Sequence, residues 1–251
     1  MIPRRRILVT GAASGLGRAT CKRLGRAGAS VGGLDTNATE LRSVIGEMSD
    51  AGLTAVAGVA DVTDLAVVES VVSTIADQLG GLDAVVNAAG IGGYTGDVAR
   101  TSPLQWSDVL AVNLTGVFHV SRTAIPYLRA SGGGAIVNVS SQYGLVGCAE
   151  SPAYCASKAG VIGLTRAMAV DHAADGITVS CLCPGPIDTP LLARSRAQEA
   201  GGKLEPARTR GRLLAGRPGS PDDVAEAIQF MLTAGFVTGS IVSLDGGWTA
   251  S

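Results

Sequence analysis

The sequence predicts an α/β fold built as a doubly wound, seven-stranded parallel sheet in a single domain, with helices on both faces. Three observations carry this expectation. Short apolar runs alternate with stretches of helical periodicity from one end of the 251-residue chain to the other. Strands followed by helices of ten or more residues imply right-handed crossovers, hence parallel strands covered on both sides. The seams are short and no linker divides the chain, so 1–251 is expected to form one unit.

Taken in order, "RILVT" (6–10) reads as a buried strand followed by a helix from about Gly15 to Ala27. "ASVGGLD" (29–35) is a second strand, with a helix from about Asn37 to Ala51. "TAVAGVA" (54–60) is a third, with a helix from about Thr63 to Leu79. "LDAVVNAAG" (82–90) is a fourth, after which Ser102-Pro103 opens one long helix to about Leu128. "GAIVNVSS" (134–141) is a fifth, and the helix that carries "YCASKAG" runs on to about Ala174. "GITVSCLCPG" (176–185) and "GSIVSLDGG" (239–247) complete the set. The exception is 191–218, polar, Gly-rich and poorly periodic; an irregular stretch of that length inside a compact domain reads as a substrate-binding lid or loop.

Composition narrows the function classes. Hydrophobic residues make up 46%, charged residues 16%, and the formal charge is −1. A nucleic-acid partner is not expected, because it demands a basic face. An apolar surface suits burial between subunits instead. Arg4 to Arg6 form the one dense basic run, read as a solvated start to the first strand. No apolar run reaches the ~18–20 residues of a membrane helix, and the N-terminus lacks the apolar core of a signal peptide, so a cytoplasmic protein without a membrane partner is expected. The five cysteines show no CxxC spacing. Cys181 and Cys183 alternate along a strand and should share one face as small, reduced core residues. His119 and His172 are isolated, so no metal site is expected.

Two local patterns carry chemistry. "TGAASGLG" (10–17) sits where the first strand turns into the first helix. Gly11 allows the tight turn, Gly15 lets backbone approach a pyrophosphate, and Gly17 lets helix pack closely on strand; the helix N-terminus then offers N–H groups and a positive dipole end. Asp35 ends the second strand, where a carboxylate can accept from both ribose hydroxyls of adenosine and repel a 2′-phosphate. No Arg or Lys follows at 36–38, and Ser14 is neutral, so NAD is favoured over NADP. The second pattern is Tyr154 and Lys158 in "YCASK", four residues apart and therefore on one helix face. Bringing a phenol from its usual pKa of about 10 to near neutrality takes roughly 3–4 kcal/mol. A cation about 4 Å away supplies about 4 kcal/mol at an effective dielectric near 20.

Taken together, "TGAASGLG", "NAAG" (87–90), Asn113 in "AVNLTG", "IVNVSS" (136–141), "YCASK" (154–158) and "PGPIDTP" (184–190) resemble the short-chain dehydrogenase/reductase family over nearly the whole chain. The resemblance implies a Rossmann-type domain assembled as a homotetramer or homodimer. It implies that Tyr154 is the general acid or base, that Lys158 lowers its pKa and holds the nicotinamide ribose, and that Ser141, rather than Ser140, steadies the substrate oxygen. Asn113 would anchor a water that relays protons through Lys158. The implied cofactor contacts are Gly11, Ser14, Gly15, Leu16 and Gly17 at the phosphates, Asp35 at the ribose, and Asp61 and Val62 at the adenine. Asn87, Ala88, Ala89 and Gly90 would shape the adenine and ribose cleft, with Pro184, Gly185, Ile187 and Thr189 facing the nicotinamide. One departure is visible: "FMLTAGFVTGS" is shorter than the family's usual link into the last strand.

The expected activity is NAD-dependent interconversion of a small secondary alcohol and its ketone. Two other readings stand beside it, an NADPH-dependent ketone reductase and a dinucleotide-binding regulator without catalysis. The plainer alternatives are a glycine-rich turn with no ligand, a helix-capping Asp35, an ordinary surface Tyr154–Lys158 pair, a structural amide at Asn113 and a loop-capping Ser141. Specificity is expected from 191–218 and from the loops 92–98 and 143–151, which include Tyr94, Tyr143 and Cys148.

Overall fold

The computed structural model describes residues 4–193 and 213–250. Its seven strands are β1 (Arg6–Thr10), β2 (Ser30–Asp35), β3 (Ala55–Val59), β4 (Ala84–Asn87), β5 (Gly134–Val139), β6 (Ile177–Pro184) and β7 (Ile241–Leu244). They lie in the order β3-β2-β1-β4-β5-β6-β7, and every neighbouring pair is parallel. The fold is the doubly wound, Rossmann-type α/β domain that the alternation of patterns predicts.

Near-continuous apolar strands need cover on both faces, and residue alternation along β1 shows how it is supplied. Ile7 and Val9 face a cluster that holds Cys21 and Leu24 of α1 (Gly15–Arg26), Leu41 and Val44 of α2 (Ala38–Asp50), and Val224 and Ile228 of α7 (Pro221–Thr233). Leu8 faces the other way, onto Val68, Val72 and Ile75 of α3 (Leu65–Leu79), Val120 and Leu128 of α5 (Gly116–Ala130), and Met168 of α6 (Pro152–Asp171). Helix starts follow local chemistry. Asn37 and Asp64 cap α2 and α3 through Glu40 N–H and Val67 N–H. Ser102 with Gln105 caps α4 (Pro103–Leu110), and Ser220 with Asp223 caps α7, each by a reciprocal box followed by proline.

Two details depart from the sequence reading. The single helix expected over 102–128 is interrupted: α4 ends at Leu110, and a wider π turn, Ala111–Thr115, precedes α5. Such turns recur at functional sites because they re-aim a side chain, and the residue re-aimed here is Asn113. Arg6 is no solvated strand start. Its guanidinium and backbone N–H bind the Asp83 carboxylate, with further bonds to Ser131 and the Gly80 carbonyl, and so tie β1 to the chain entering β4. The Arg6 pairing holds the Asp83 carboxyl below its ordinary range. The lid expected at 191–218 lies mostly outside the described residues. On its returning side, Leu213 is buried and Ala215 N–H donates to the Gly246 carbonyl at 3.0 Å. Cys181 and Cys183 are fully buried in one apolar cluster, as their alternation predicts.

The chain runs outward from β1 to β2 and β3, then returns to place β4 on the other side of β1. Between the carboxyl ends of β1 and β4 the sheet therefore opens, which is where open α/β sheets bind ligands.

Candidate active site

One hydroxyl sets this opening. Thr10, the last residue of β1, is buried and accepts from Ala88 N–H at 3.1 Å and Ala89 N–H at 3.0 Å. The chain leaving β4 is thereby bent across the end of β1. The sequence reading did not single out Thr10; the available signal was a hydroxyl as the last strand residue before the glycine turn.

The turn that follows suits an anion. A Cβ on Gly17 would lie 2.1 Å from the Gly11 carbonyl oxygen, so only glycine lets α1 start this close to β1. Gly15 holds a φ of +50°, and a Cβ there would meet nothing nearer than Thr189 at 3.7 Å, a gap that opens beside the turn. Ser14, exposed, begins α1 without a side-chain bond to its first turn, whereas side chains cap α2, α3, α4 and α7. The leading N–H groups of α1 thus keep their partial positive charge for a bound group. Leu16 turns inward against the core. Across the gap Gly185 N–H donates to the Leu244 carbonyl, and Ile187 bridges to Gly219. Thr189 Oγ1 donates to the Ile187 carbonyl and accepts from Leu192 N–H at 3.3 Å. Buried Pro184 ends β6 beneath that loop.

Asp35 stands at the end of β2 with both carboxylate oxygens aligned by backbone: Ala13 N–H donates to one at 3.0 Å and Asn37 N–H to the other at 2.9 Å. The negative charge is therefore fixed against the glycine turn. Asp61 accepts from both the N–H and the hydroxyl of Thr63, and Val62 is buried against α5. Asn87 is buried at the end of β4. Its side chain donates to Ser121 and to Asn138, which in turn donates to Thr165, a buried polar ladder joining β4 and β5 to α5 and α6. It shapes the cleft from beneath, while Gly90 stands exposed above it.

The four candidate catalytic residues converge. Asn113 is fully buried in the π turn. Its Oδ1 accepts from Ile91 N–H at 2.8 Å, and its Nδ2 donates to the Ile91 carbonyl at 3.0 Å and to Ser157 Oγ at 3.2 Å. Ser157 donates on to the Tyr154 carbonyl at 2.8 Å. A Cβ on Gly90 would come within 3.1 Å of Asn113 Oδ1 and 3.5 Å of Lys158 Nζ, so all three share one corner. Lys158 is buried, donates to the Val139 carbonyl at 3.1 Å, and has its Nζ 5.7 Å from the centroid of the Tyr154 ring. Ser140 turns away from the cleft and donates to the Lys158 carbonyl at 2.8 Å, while Ser141 hydrogen-bonds with Tyr154. The two serines thus take different partners. Ser157 and the Val139 carbonyl escaped the sequence reading, the latter because a main-chain acceptor has no residue signature.

The electrostatics run against one expectation. Burial pushes the Tyr154 phenol above its ordinary value, and the Ser141 hydrogen bond pulls it back; the lysine does not bring it below 10. Lys158 is itself desolvated, its pKa lowered from 10.5 to about 8. Its Nζ stands 5.7 Å from the Tyr154 ring centroid, where a positive charge favours the phenolate. That charge is still mostly present at pH 7, but desolvation of the phenol opposes it.

The comparisons with known proteins agree with this geometry. The short chain dehydrogenase family profile matches residues 5–200. The chain is 41% identical to cis-4-hydroxycyclohexanecarboxylate dehydrogenase of Sinomonas cyclohexanicum over 97% of this chain and 96% of that one. Among solved structures, levodione reductase superposes with a TM-score of 0.95 at 31% identity, covering 99% of each chain. A variant of actinorhodin polyketide ketoreductase with NADPH superposes at 0.93 and 32% identity, covering 100% of this chain and 99% of that one. The chain belongs to the short-chain dehydrogenase family. It is an oxidoreductase with a nicotinamide-dinucleotide-binding fold, acting on a small molecule. Among the described residues no helix is long and apolar enough to cross a membrane.

Lys158 gives a stability test. Its folded-state pKa of about 8 lies below the ordinary 10.5, so the folded protein carries the charge at a cost of about 3 kcal/mol below pH 8. Between pH 8 and 10.5 the unfolded chain binds more protons, and stability rises with pH through that window. Lys158→Met removes the cost but leaves the Val139 carbonyl without this donor, at about 1 kcal/mol. Urea denaturation should find the variant more stable than the parent at pH 7, with the gap closing by pH 10; a gap that does not vary with pH contradicts the buried charge.

Proposed function

We propose that the chain is an NAD-dependent dehydrogenase that interconverts a secondary alcohol and its ketone, with Tyr154 as the general acid or base. The observation that carries this is the convergence of Ser141, Tyr154, Lys158 and Asn113 at the carboxyl ends of β4 and β5, beside the uncapped first turn of α1. Bound there, the dinucleotide supplies or accepts hydride at its nicotinamide ring.

The chain's own residues do the rest. In ketone reduction the Tyr154 hydroxyl, kept protonated at neutral pH by burial, gives its proton to the forming alkoxide. Ser141 donates a hydrogen bond to the same oxygen as its charge develops. Lys158, largely cationic at pH 7, supports the phenolate left behind. Asn113 locks the corner through Ile91 and Ser157, and its place beside Lys158 Nζ suits it to hold the water of a proton relay. Alcohol oxidation reverses these steps and needs the phenolate at the start, so it gains with rising pH.

The glycine turn, Gly11 to Gly17, holds the pyrophosphate in this reading. Asp35 takes the adenosine ribose, Asp61 and Val62 meet the adenine edge, Asn87 to Gly90 form the floor, and Pro184, Gly185, Ile187 and Thr189 face the nicotinamide. Asp35 supports NAD, since a 2′-phosphate would meet a carboxylate already fixed by two backbone donors. The whole chain forms one catalytic unit with 191–218 as its substrate lid. A ring-borne secondary alcohol is the first substrate class to try, because the 41%-identical relative is named for one. NADPH-driven ketone reduction is the second reading, supported by the NADPH in the polyketide ketoreductase structure.

Assembly as a homotetramer, or short of that a homodimer, is part of the proposal. Leu104, Trp106 and Phe118 on α4 and α5, and Phe230 and Phe236 on and after α7, are large apolar side chains left exposed, which subunit contacts would cover. Light scattering that finds a monomer removes this part. We place the protein in the cytoplasm.

A panel of linear and cyclic secondary alcohols and ketones, followed at the absorbance of the reduced nicotinamide, tests the reaction. Tyr154→Phe should lower kcat by at least about 100-fold, the low end for a lost general acid–base group, while dinucleotide affinity stays within about twofold. Retained turnover refutes the role of Tyr154. Asp35→Ala should narrow the preference for NAD over NADP by about tenfold, roughly 1.4 kcal/mol. An unchanged ratio of kcat/KM for the two cofactors removes Asp35 as the discriminator.

A further inference from the structure

Two loops meet beside Tyr154, and a single residue joins them. The first leaves β4 as "GIGGYTG" (90–96), with glycine at 90, 92, 93 and 96. A chain so poor in side chains does not fix its own path, and this one is pinned from outside. At its start, Asn113 grips both the N–H and the carbonyl of Ile91. In its middle it passes Tyr154: a Cβ on Gly93 would stand 3.7 Å from the Tyr154 Cβ. At its far end, buried Gly96 gives its N–H to the Glu150 carbonyl at 3.0 Å.

Glu150 belongs to the second loop, 145–151, which leads from Ser141 into α6 and Tyr154. Its carboxylate takes the Arg100 Nη2 at 2.7 Å, and Arg100 is braced in turn by Asp97. The main chain of Glu150 therefore grips the glycine-rich strap at Gly96, and its side chain grips the turn that follows it at Arg100. To do so the residue adopts a φ of +56°, which among the described non-glycine residues only Arg4 shares in sign. That left-handed conformation is unfavourable for a residue with a Cβ, and its bonds to Gly96 and Arg100 offset the strain.

We propose that Glu150 is a positioning residue for substrate selection: by holding the far end of the 90–96 strap, it fixes the width of the space beside Tyr154 and Ser141 open to the substituents of the reacting carbon. This rests on the assignment of Tyr154 and Ser141 to the substrate end. Glu150 does not touch the reacting atoms. Its loss widens or blurs the space without altering proton transfer, so it acts on KM and on the ranking of substrates rather than on kcat.

The test compares Glu150→Ala, Arg100→Ala and the conservative Glu150→Gln, whose amide oxygen can still accept from Arg100. With cyclohexanol and propan-2-ol as paired substrates, the two alanine variants should change the ratio of kcat/KM by about fivefold, the upper range for an exposed ion pair. The effect should fall on KM for cyclohexanol, with kcat and the dinucleotide KM within about twofold, and Glu150→Gln should stay near the parent. Amide hydrogen exchange supplies a readout independent of turnover: the 91–96 amides should exchange about fivefold faster in both alanine variants and not in Glu150→Gln. An unchanged substrate ratio with unchanged exchange overturns the proposal, as does an equal fall in kcat for both alcohols. If the parent turns over neither alcohol, the proposed reaction fails at that point, and the exchange measurement alone decides whether Glu150 holds the strap.

Discussion

Where the strand order reverses, β1 and β4 lie side by side and their outgoing chains must part, one toward α1 and the other toward α4. The Thr10 hydroxyl, accepting from both Ala88 and Ala89, fixes how they part. Two sides of the candidate site start from that joint. Gly11 to Gly17 turn away on one side into the uncapped first turn of α1, and Gly90 and Ile91 are carried on the other side to meet Asn113. The site is thus held by short main-chain bonds between secondary elements, which suits chemistry that tolerates little misplacement of reacting atoms.

The buried amine of Lys158 shows how the site spends stability. Desolvation lowers its pKa to about 8 and raises that of Tyr154, so each group is held away from its ordinary value by the same dry surroundings. Such a pair is costly to fold, and groups perturbed in this way cluster at functional sites. The polar ladder Ser121–Asn87–Asn138–Thr165 lies under this corner and keeps β4, β5, α5 and α6 in one register.

Much of this was legible in the sequence, for identifiable reasons. The strands read clearly because two-sided burial writes them as apolar runs, as in "RILVT" and "AIVNV". Asp35 and the glycine turn read clearly because their place at strand ends limits what they can do. Asn113 could be named as a misfit in a helix, but not the π turn that aims it, since that turn depends on Ile91, 22 residues away. Arg6 was misread because its partner Asp83 arrives through the sheet. The direction of the Tyr154 shift was missed for a related reason: spacing reveals the neighbouring cation, whereas burial emerges only when the surrounding loops are in place. Glu150 gave no signal at all, as backbone handedness at a glutamate is set by the contacts it satisfies.

The bare start of α1 carries a thermodynamic consequence. A side chain in the capping position typically contributes about 1 kcal/mol to a helix, and Ser14 forgoes that bond. In the proposed binding mode a phosphate meets those donors, so ligand capture would also complete a piece of secondary structure. Occupancy and thermal resilience are then linked quantities, with the melting temperature climbing as the logarithm of dinucleotide concentration once the site is saturated.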